Sequence, residues 1–190
     1  MTGCVKCLVY FSTFVFANEN WSFLCRVLSF IFYWFGMVRR KWNGGGGVTV
    51  WGCFSFDCKL DLYVLDGNLT GQKYRDNVLA PRVVHHFDNH ALADRPMFMD
   101  DNARPHRARI VQPFIQQEAV QTIPWPAMSP DMNPIEHVWD FIGRKFNQRN
   151  PKCQNIDELR TAILQEWQQF PQERLRRLVK HDEACYRTSQ

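Results

Sequence analysis

Four consecutive glycines, Gly44 to Gly47, divide the chain into two stretches that obey different rules. A polyglycine run favours neither helix nor strand, so it marks a flexible turn between whatever folds on either side. Upstream, the chain from Met1 to Lys41 is aromatic and nearly free of acid, with Glu19 the single carboxylate. Downstream, Val48-Thr49-Val50-Trp51-Gly52-Cys53-Phe54 is rich in β-branched and aromatic residues, and Leu60-Asp61-Leu62-Tyr63-Val64-Leu65 alternates. With Asp66-Gly67-Asn68 as the turn that follows, this pattern predicts two paired antiparallel strands.

Helical spacing begins next. Thr70 has the character of an N-cap for a helix reaching about Phe87, with Tyr74, Val78 and Leu79 on one side. Arg95-Pro96-Met97-Phe98-Met99-Asp100 is a short apolar run bounded by turn residues, as in a buried strand that ends in acids. A helix is expected from about Pro105 to Glu118 and a short strand near Val120 to Trp125. Pro124, Pro126 and Pro130 then mark a loop before helices near Pro134 to Arg149, Ile156 to Phe170 and Pro171 to His181. Strands, then strand–helix alternation, then a helical tail predict an α/β domain with a mixed sheet flanked by helices.

At 190 residues the chain has room for one domain with at most an appendage. Hydrophobic residues at 45% against 22% charged exclude wholesale disorder. The net charge of +4 resides between Met1 and Phe56, and the remainder balances. Composition alone therefore marks no broad phosphate-binding surface on the body of the protein. Seven cysteines, odd in number and irregularly spaced, argue for a reducing compartment, and Cys4-Val-Lys-Cys7 lacks a second pair to complete a zinc site. Two apolar runs invite a targeting reading: Leu8 to Ala17, ending Val-Phe-Ala like a signal cleavage site, and Val27 to Val38, followed by Arg39-Arg40-Lys41. The second run is short of the ~20 residues that span a bilayer, and lengthening it admits Arg26. Membrane insertion is accordingly disfavoured, and a membrane-tethered or secreted protein using residues 1–38 stands as an alternative.

The densest chemistry lies from Trp125 to Trp139. Asn133 is placed as an N-cap, Pro134 occupies the first helical position, and Glu136 stands third, where it can reach back to the cap amide. Read so, Glu136 is a capping acid worth about 1 kcal/mol. Ile135, Val138, Trp139, Ile142 and Phe146 form the apolar stripe of that helix, which leaves Glu136 at the border of a buried face. A second reading pairs Glu136 with Asp101, at the end of the predicted buried strand. Two ionised carboxylates ~4 Å apart repel by ~4 kcal/mol at an effective dielectric of ~20, so such a pair calls for a cation. Hard oxygen ligands select Mg²⁺ or Mn²⁺, and two ions ~3.5–4 Å apart would drive phosphodiester cleavage.

Phe98-Met99-Asp100-Asp101-Asn102-Ala103-Arg104-Pro105-His106 and Trp125 to Trp139 resemble the second and third acid motifs of the Tc/mariner superfamily of DDE transposases. The interval from Asp101 to Glu136 matches the spacing of one main branch, and Gly45 to Cys53 resembles the strand that precedes these motifs. The resemblance runs from about Arg39 to Lys180. It implies an RNase H-like fold, with residues 1–40 a divergent apolar segment, 41–181 the catalytic domain and 182–190 a C-terminal tail. It also implies DNA as partner, Mg²⁺ or Mn²⁺ held by three acids, cut-and-paste DNA transposition and integration, and a nuclear location, with a homodimer left open.

Carried over by position, Asp101 matches the second catalytic Asp and Glu136 the third acid, both as metal ligands. Asn102 and His106 match supporting positions that orient a phosphate or a water, although His106 also suits a plain helix start. Asp100 stands where family members have Gln, and Asp131 suits the organisation of the proline loop. His85, His86 and His90 read as a solvated face. The departure is the first acid. The family carries it on the first strand, yet residues 1–56 contain no Asp. Phe16-Ala17-Asn18-Glu19-Asn20 echoes that motif with Asn18 in the acid's place, and an amide supplies no charge. The N-terminal helix-turn-helix region of the family also has no counterpart. The resemblance thus leads to a transposase-derived domain without activity. Its rival is a non-catalytic interaction module on the same scaffold, using the Arg174 to Lys180 segment, which otherwise reads as the solvated side of an amphipathic helix.

Overall fold

The computed structural model describes residues 8–16, 47–88, 97–99, 103–123 and 133–188. Five strands, β1 (Leu8–Phe16), β2 (Val48–Ser55), β3 (Tyr63–Leu65), β4 (Met97–Met99) and β5 (Thr122–Ile123), form one sheet in the order β3-β2-β1-β4-β5. β1 runs antiparallel to β2, from Val9 opposite Ser55 to Phe16 opposite Val48, and β2 antiparallel to β3. β4 lies parallel to β1, with Val9 level with Phe98, and β5 parallel to β4. The middle of the sheet is therefore supplied from ahead of the glycine run. An unbroken run such as Leu-Val-Tyr-Phe-Ser-Thr-Phe-Val-Phe suits a strand with neighbours on both sides. Among the described residues no helix is long and apolar enough to cross a membrane, and Val27 to Val38 falls outside them.

β2 divides the interior into two layers. All of its residues except Thr49 are buried, and successive side chains turn to opposite faces. Val48, Val50 and Phe54 join Met99 in one core with the helices α4 (Pro134–Gln148), α5 (Ile156–Gln169) and α6 (Gln172–Thr188). Trp51 and Cys53 join Phe98 in the other, with the helices of residues 71–88 and α3 (Val111–Gln117). Only the last three residues of the expected Leu60–Leu65 strand pair as a strand. The chain turns back tightly after β2, with Ser55 N donating to Cys58 O at 2.7 Å and Leu60 N to Cys53 O at 2.9 Å, and this holds Lys59 and Leu60 in the turn.

Thr70 caps the first helix as its sequence predicts, its side chain accepting from Lys73 N at 3.2 Å. The helix opens as α1 (Gly71–Lys73), widens into a π-helix over Tyr74–Val84 and closes as α2 (His85–Asp88). Pro81 supplies a reason for the widening. In an α frame the proline ring would clash with the Asn77 carbonyl four residues back, and the wider turn relieves that clash. The Arg82 guanidinium also donates to Asn77 O while lying 4.3 Å over the Tyr63 ring. The helix expected from Pro105 begins later, at Val111, after a series of turns.

On the other layer, Trp139 of α4 stacks on Trp167 of α5 with ring centroids 5.3 Å apart. Gly52 lies beneath them. A Cβ there would approach Trp139 Cη2 to 2.6 Å and Trp167 Cη2 to 3.0 Å, so only a bare Cα fits. Lys59 Nζ closes the C-terminal end of α5 by donating to the carbonyls of Trp167, Gln168 and Phe170 at 2.5, 2.8 and 2.7 Å. α6 is held to the sheet by Gln172 Nε2, which donates to Ser55 O and Phe56 O, and by fully buried Leu175 and Val179.

Two substitutions test this packing in urea denaturation. Gly52→Ala is expected to lose about 1–3 kcal/mol, because two packed indoles must shift to admit a methyl group. Lys59→Met, which keeps the length of the side chain but removes the charged donor at three carbonyls, is expected to lose about 2 kcal/mol.

Candidate functional site

The site is built outward from the start of α4. Asn133 is buried with an extended backbone, and its Oδ1 accepts from Ile135 N at 3.3 Å. Pro134 follows with its φ already suited to a helix, and Glu136 N donates to Asn133 O at 3.0 Å. Ile135, Val138, Trp139 and Ile142 are fully buried, and Phe146 packs at the edge of the same core. Glu136 is thus held half-buried in the first turn, at the positive end of the helix dipole. Met99, the last residue of β4, is buried in that same core. The helix bearing Glu136 and the end of β4 therefore share one layer.

Asp101 and Asn102, together with Asp100, Asp131, Asn18, Glu19 and His90, lie outside the described residues. His106 is placed firmly, and in the opposite layer. It is fully buried, its ring stacks on Tyr74 with centroids 4.0 Å apart, and its carbonyl accepts from Gln112 Nε2. Tyr74 belongs to the core on the π-helix side, so the ring of His106 and the helix of Glu136 lie on different faces of the sheet. His85 is exposed, while His86 approaches Cys58, Nε2 to Sγ 3.9 Å. Nothing in a sequence separation of 28 announces that pair. Nearby, burial pushes the Cys53 thiol well above its ordinary pKa, with Cys58 a smaller cause, so Cys53 stays a protonated core residue.

The described acids do not by themselves assemble a three-acid, two-ion centre. β1, the strand between β2 and β4, contains no Asp or Glu from Leu8 to Phe16. Asp57 is exposed in the turn after β2, Asp61 and Asp66 are exposed on either side of β3, and Asp66 pairs with Arg160 at 3.1 Å. β3 is separated from β4 by β2 and β1, about 14 Å at the usual strand spacing. Among the described residues no three His, Cys, Asp or Glu side chains converge to hold a metal ion. The cap that sets Glu136 is testable apart from any chemistry: Asn133→Ala is expected to lower the unfolding free energy by about 1–2 kcal/mol, measured by denaturant titration.

Residues 43–160 match the family model described as DDE superfamily endonuclease. The Tc3 transposase of Caenorhabditis elegans is 29% identical over 144 residues, covering 76% of this chain and 43% of the relative. The Tc1 transposase of the same organism is 26% identical over 140 residues, covering 72% and 49%. The chain thus spans about half the length of the curated relatives it matches. Among solved structures, the catalytic domain of Mos1 mariner transposase superposes with a TM-score of 0.68 at 13% identity, covering 94% of this chain and 78% of that one. A Mos1 paired-end complex with the left transposon end gives 0.69 at 12% identity, covering 94% and 53%. These likenesses make the sheet order and its two helical layers an RNase H-like fold. With more than half of its length matched by the family model, the chain belongs to the DDE superfamily endonucleases, in the Tc/mariner transposase branch.

Proposed function

We propose that this protein is a transposase-derived DNA-binding domain that has lost strand cleavage and transfer because its first catalytic acid is missing. The observation that carries the reading is the composition of β1, which runs through the centre of the sheet with no carboxylate on it. Two-ion phosphodiester chemistry depends on fixed negative charge to hold both cations, and neither a hydroxyl nor an amide supplies it. In this reading Asp101 and Glu136 are what survives of the site. Support comes from Met99, two residues before Asp101 along the chain, which is buried in the same core as the helix that carries Glu136.

Mos1 catalytic domains have been solved with Raltegravir and Mg or Mn, and Mos1 itself in paired-end complexes. By that analogy DNA is the partner here and Mg²⁺ or Mn²⁺ is the ion whose binding is impaired; a nuclear place of action is our inference from a DNA partner. The test uses purified protein, Mn²⁺ and a pre-cleaved transposon end carrying a free 3′-hydroxyl. No strand transfer is expected on a gel. Robust transfer that Asp101→Asn abolishes would overturn the loss of activity.

A further inference from the structure

Outside the acid site, the molecule has a cationic groove built on aromatic rings. It lies between α4 and α6, opens to solvent with a volume of about 270 Å³, and is lined by His137, Phe141 and Arg144 from α4, by Phe170, and by Arg174, Arg177 and Leu178 from α6. Phe141 and Phe170 meet edge to face at 5.1 Å, and Phe170 is buried in the sheet core, so the floor is rigid. The Arg174 guanidinium lies 4.8 Å from the Phe141 ring centroid. Stacking of this kind fixes the plane of an exposed arginine that would otherwise sample many rotamers.

The charges are unevenly satisfied. Arg144 pairs with Asp140 at 2.7 Å, while Arg177 reaches Glu173 only at 3.9 Å, and Arg176 also draws on that carboxylate at 3.7 Å. Arg174 forms no ion pair among the described residues, and Lys145 adds a further cation 5.8 Å from the Phe141 ring. We propose that this groove binds single-stranded DNA, with an unpaired base stacked on the Arg174 guanidinium and the adjoining phosphate held by Arg174 and Arg177. The proposal rests on the DNA-binding reading above and deepens it by naming where the strand sits.

Three features select that occupant. The volume of about 270 Å³ lies at the small end of ligand pockets and has room for one planar ring. A docked amphipathic helix would need a row of apolar holes along the groove, whereas Phe141, Phe170 and Leu178 make a single apolar patch here with arginines at its rim. Bases of an intact duplex are stacked on one another, so an arginine platform can take only an unpaired base. His137 also directly follows Glu136, which opens the groove beside the first turn of α4.

The test is fluorescence anisotropy with a labelled single strand of about 20 nucleotides and the duplex of the same sequence. Wild type is compared with Arg174→Glu, Arg174→Lys and the charge-matched control Lys152→Glu, Lys152 being exposed and outside the groove. Arg174→Glu is expected to weaken single-strand binding about tenfold, and Arg174→Lys about threefold because it keeps the charge and loses the plane. Duplex binding is expected to change no more than it does for Lys152→Glu. If Arg174→Glu has a lowered melting temperature, Arg174→Lys decides. Equal losses on single strand and duplex, losses no greater than the control's, or competition by polyglutamate as effective as by oligonucleotide would each overturn the groove. In all three cases DNA binding elsewhere on the protein would stand. Absence of binding to either DNA by the wild type would instead overturn the DNA-binding reading itself, and the groove with it.

Discussion

The stacked indoles of Trp139 and Trp167 over the bare Cα of Gly52 set the distance at which α4 and α5 approach the sheet. Any side chain on β2 at that point would lift both helices. Because α4 carries Glu136 in its first turn, the position of that carboxylate depends on a contact about two helical turns from the cap that starts the helix. Lys59 and Gln172 then fasten α5 and α6 to the turn after β2 through backbone carbonyls. The layer above β2 is thus one cooperative unit, and the groove between α4 and α6 is a product of the same packing.

The opposite layer obeys a different constraint. Pro81 crowds the Asn77 carbonyl in mid-helix, and a wider π frame accommodates the ring while the Arg82 guanidinium donates to that carbonyl. Tyr74, at the start of that frame, is buried against the His106 ring. A histidine that closely follows an acid motif along the chain therefore belongs to the core of one layer, while Glu136 borders the other. The sheet between them is only one residue thick, and alternation along a strand is enough to separate neighbours in sequence by a whole layer.

Much of this was legible residue by residue. Thr70 and Asn133 announce their helices because a short oxygen-bearing side chain before a helical period does the same local work in any context. The stripe from Ile135 to Ile142, the β-rich run of β2, and Phe98 and Met99 of β4 are buried as their periodicities indicate, while Met97 of β4 is exposed. Other features had no local signature. Leu8–Phe16 shows an apolar pattern that a targeting segment shares, and its place is settled by pairing with β2 and β4. The Cys58–His86 approach and the Arg174–Phe141 stack join residues far apart along the chain, beyond the reach of any spacing rule.

Sequence by itself determined the caps, the periods and the inventory of charge, including the lack of any Asp from Met1 to Phe56, since these are properties of short segments and of composition. Tertiary structure alone decided that the acid-free run is the central strand, because strand neighbours are chosen by long-range hydrogen bonding. It also decided that His106 and Glu136 lie in different layers and that Arg174 lies over Phe141, because these depend on which faces are pressed together when the helices close over the sheet.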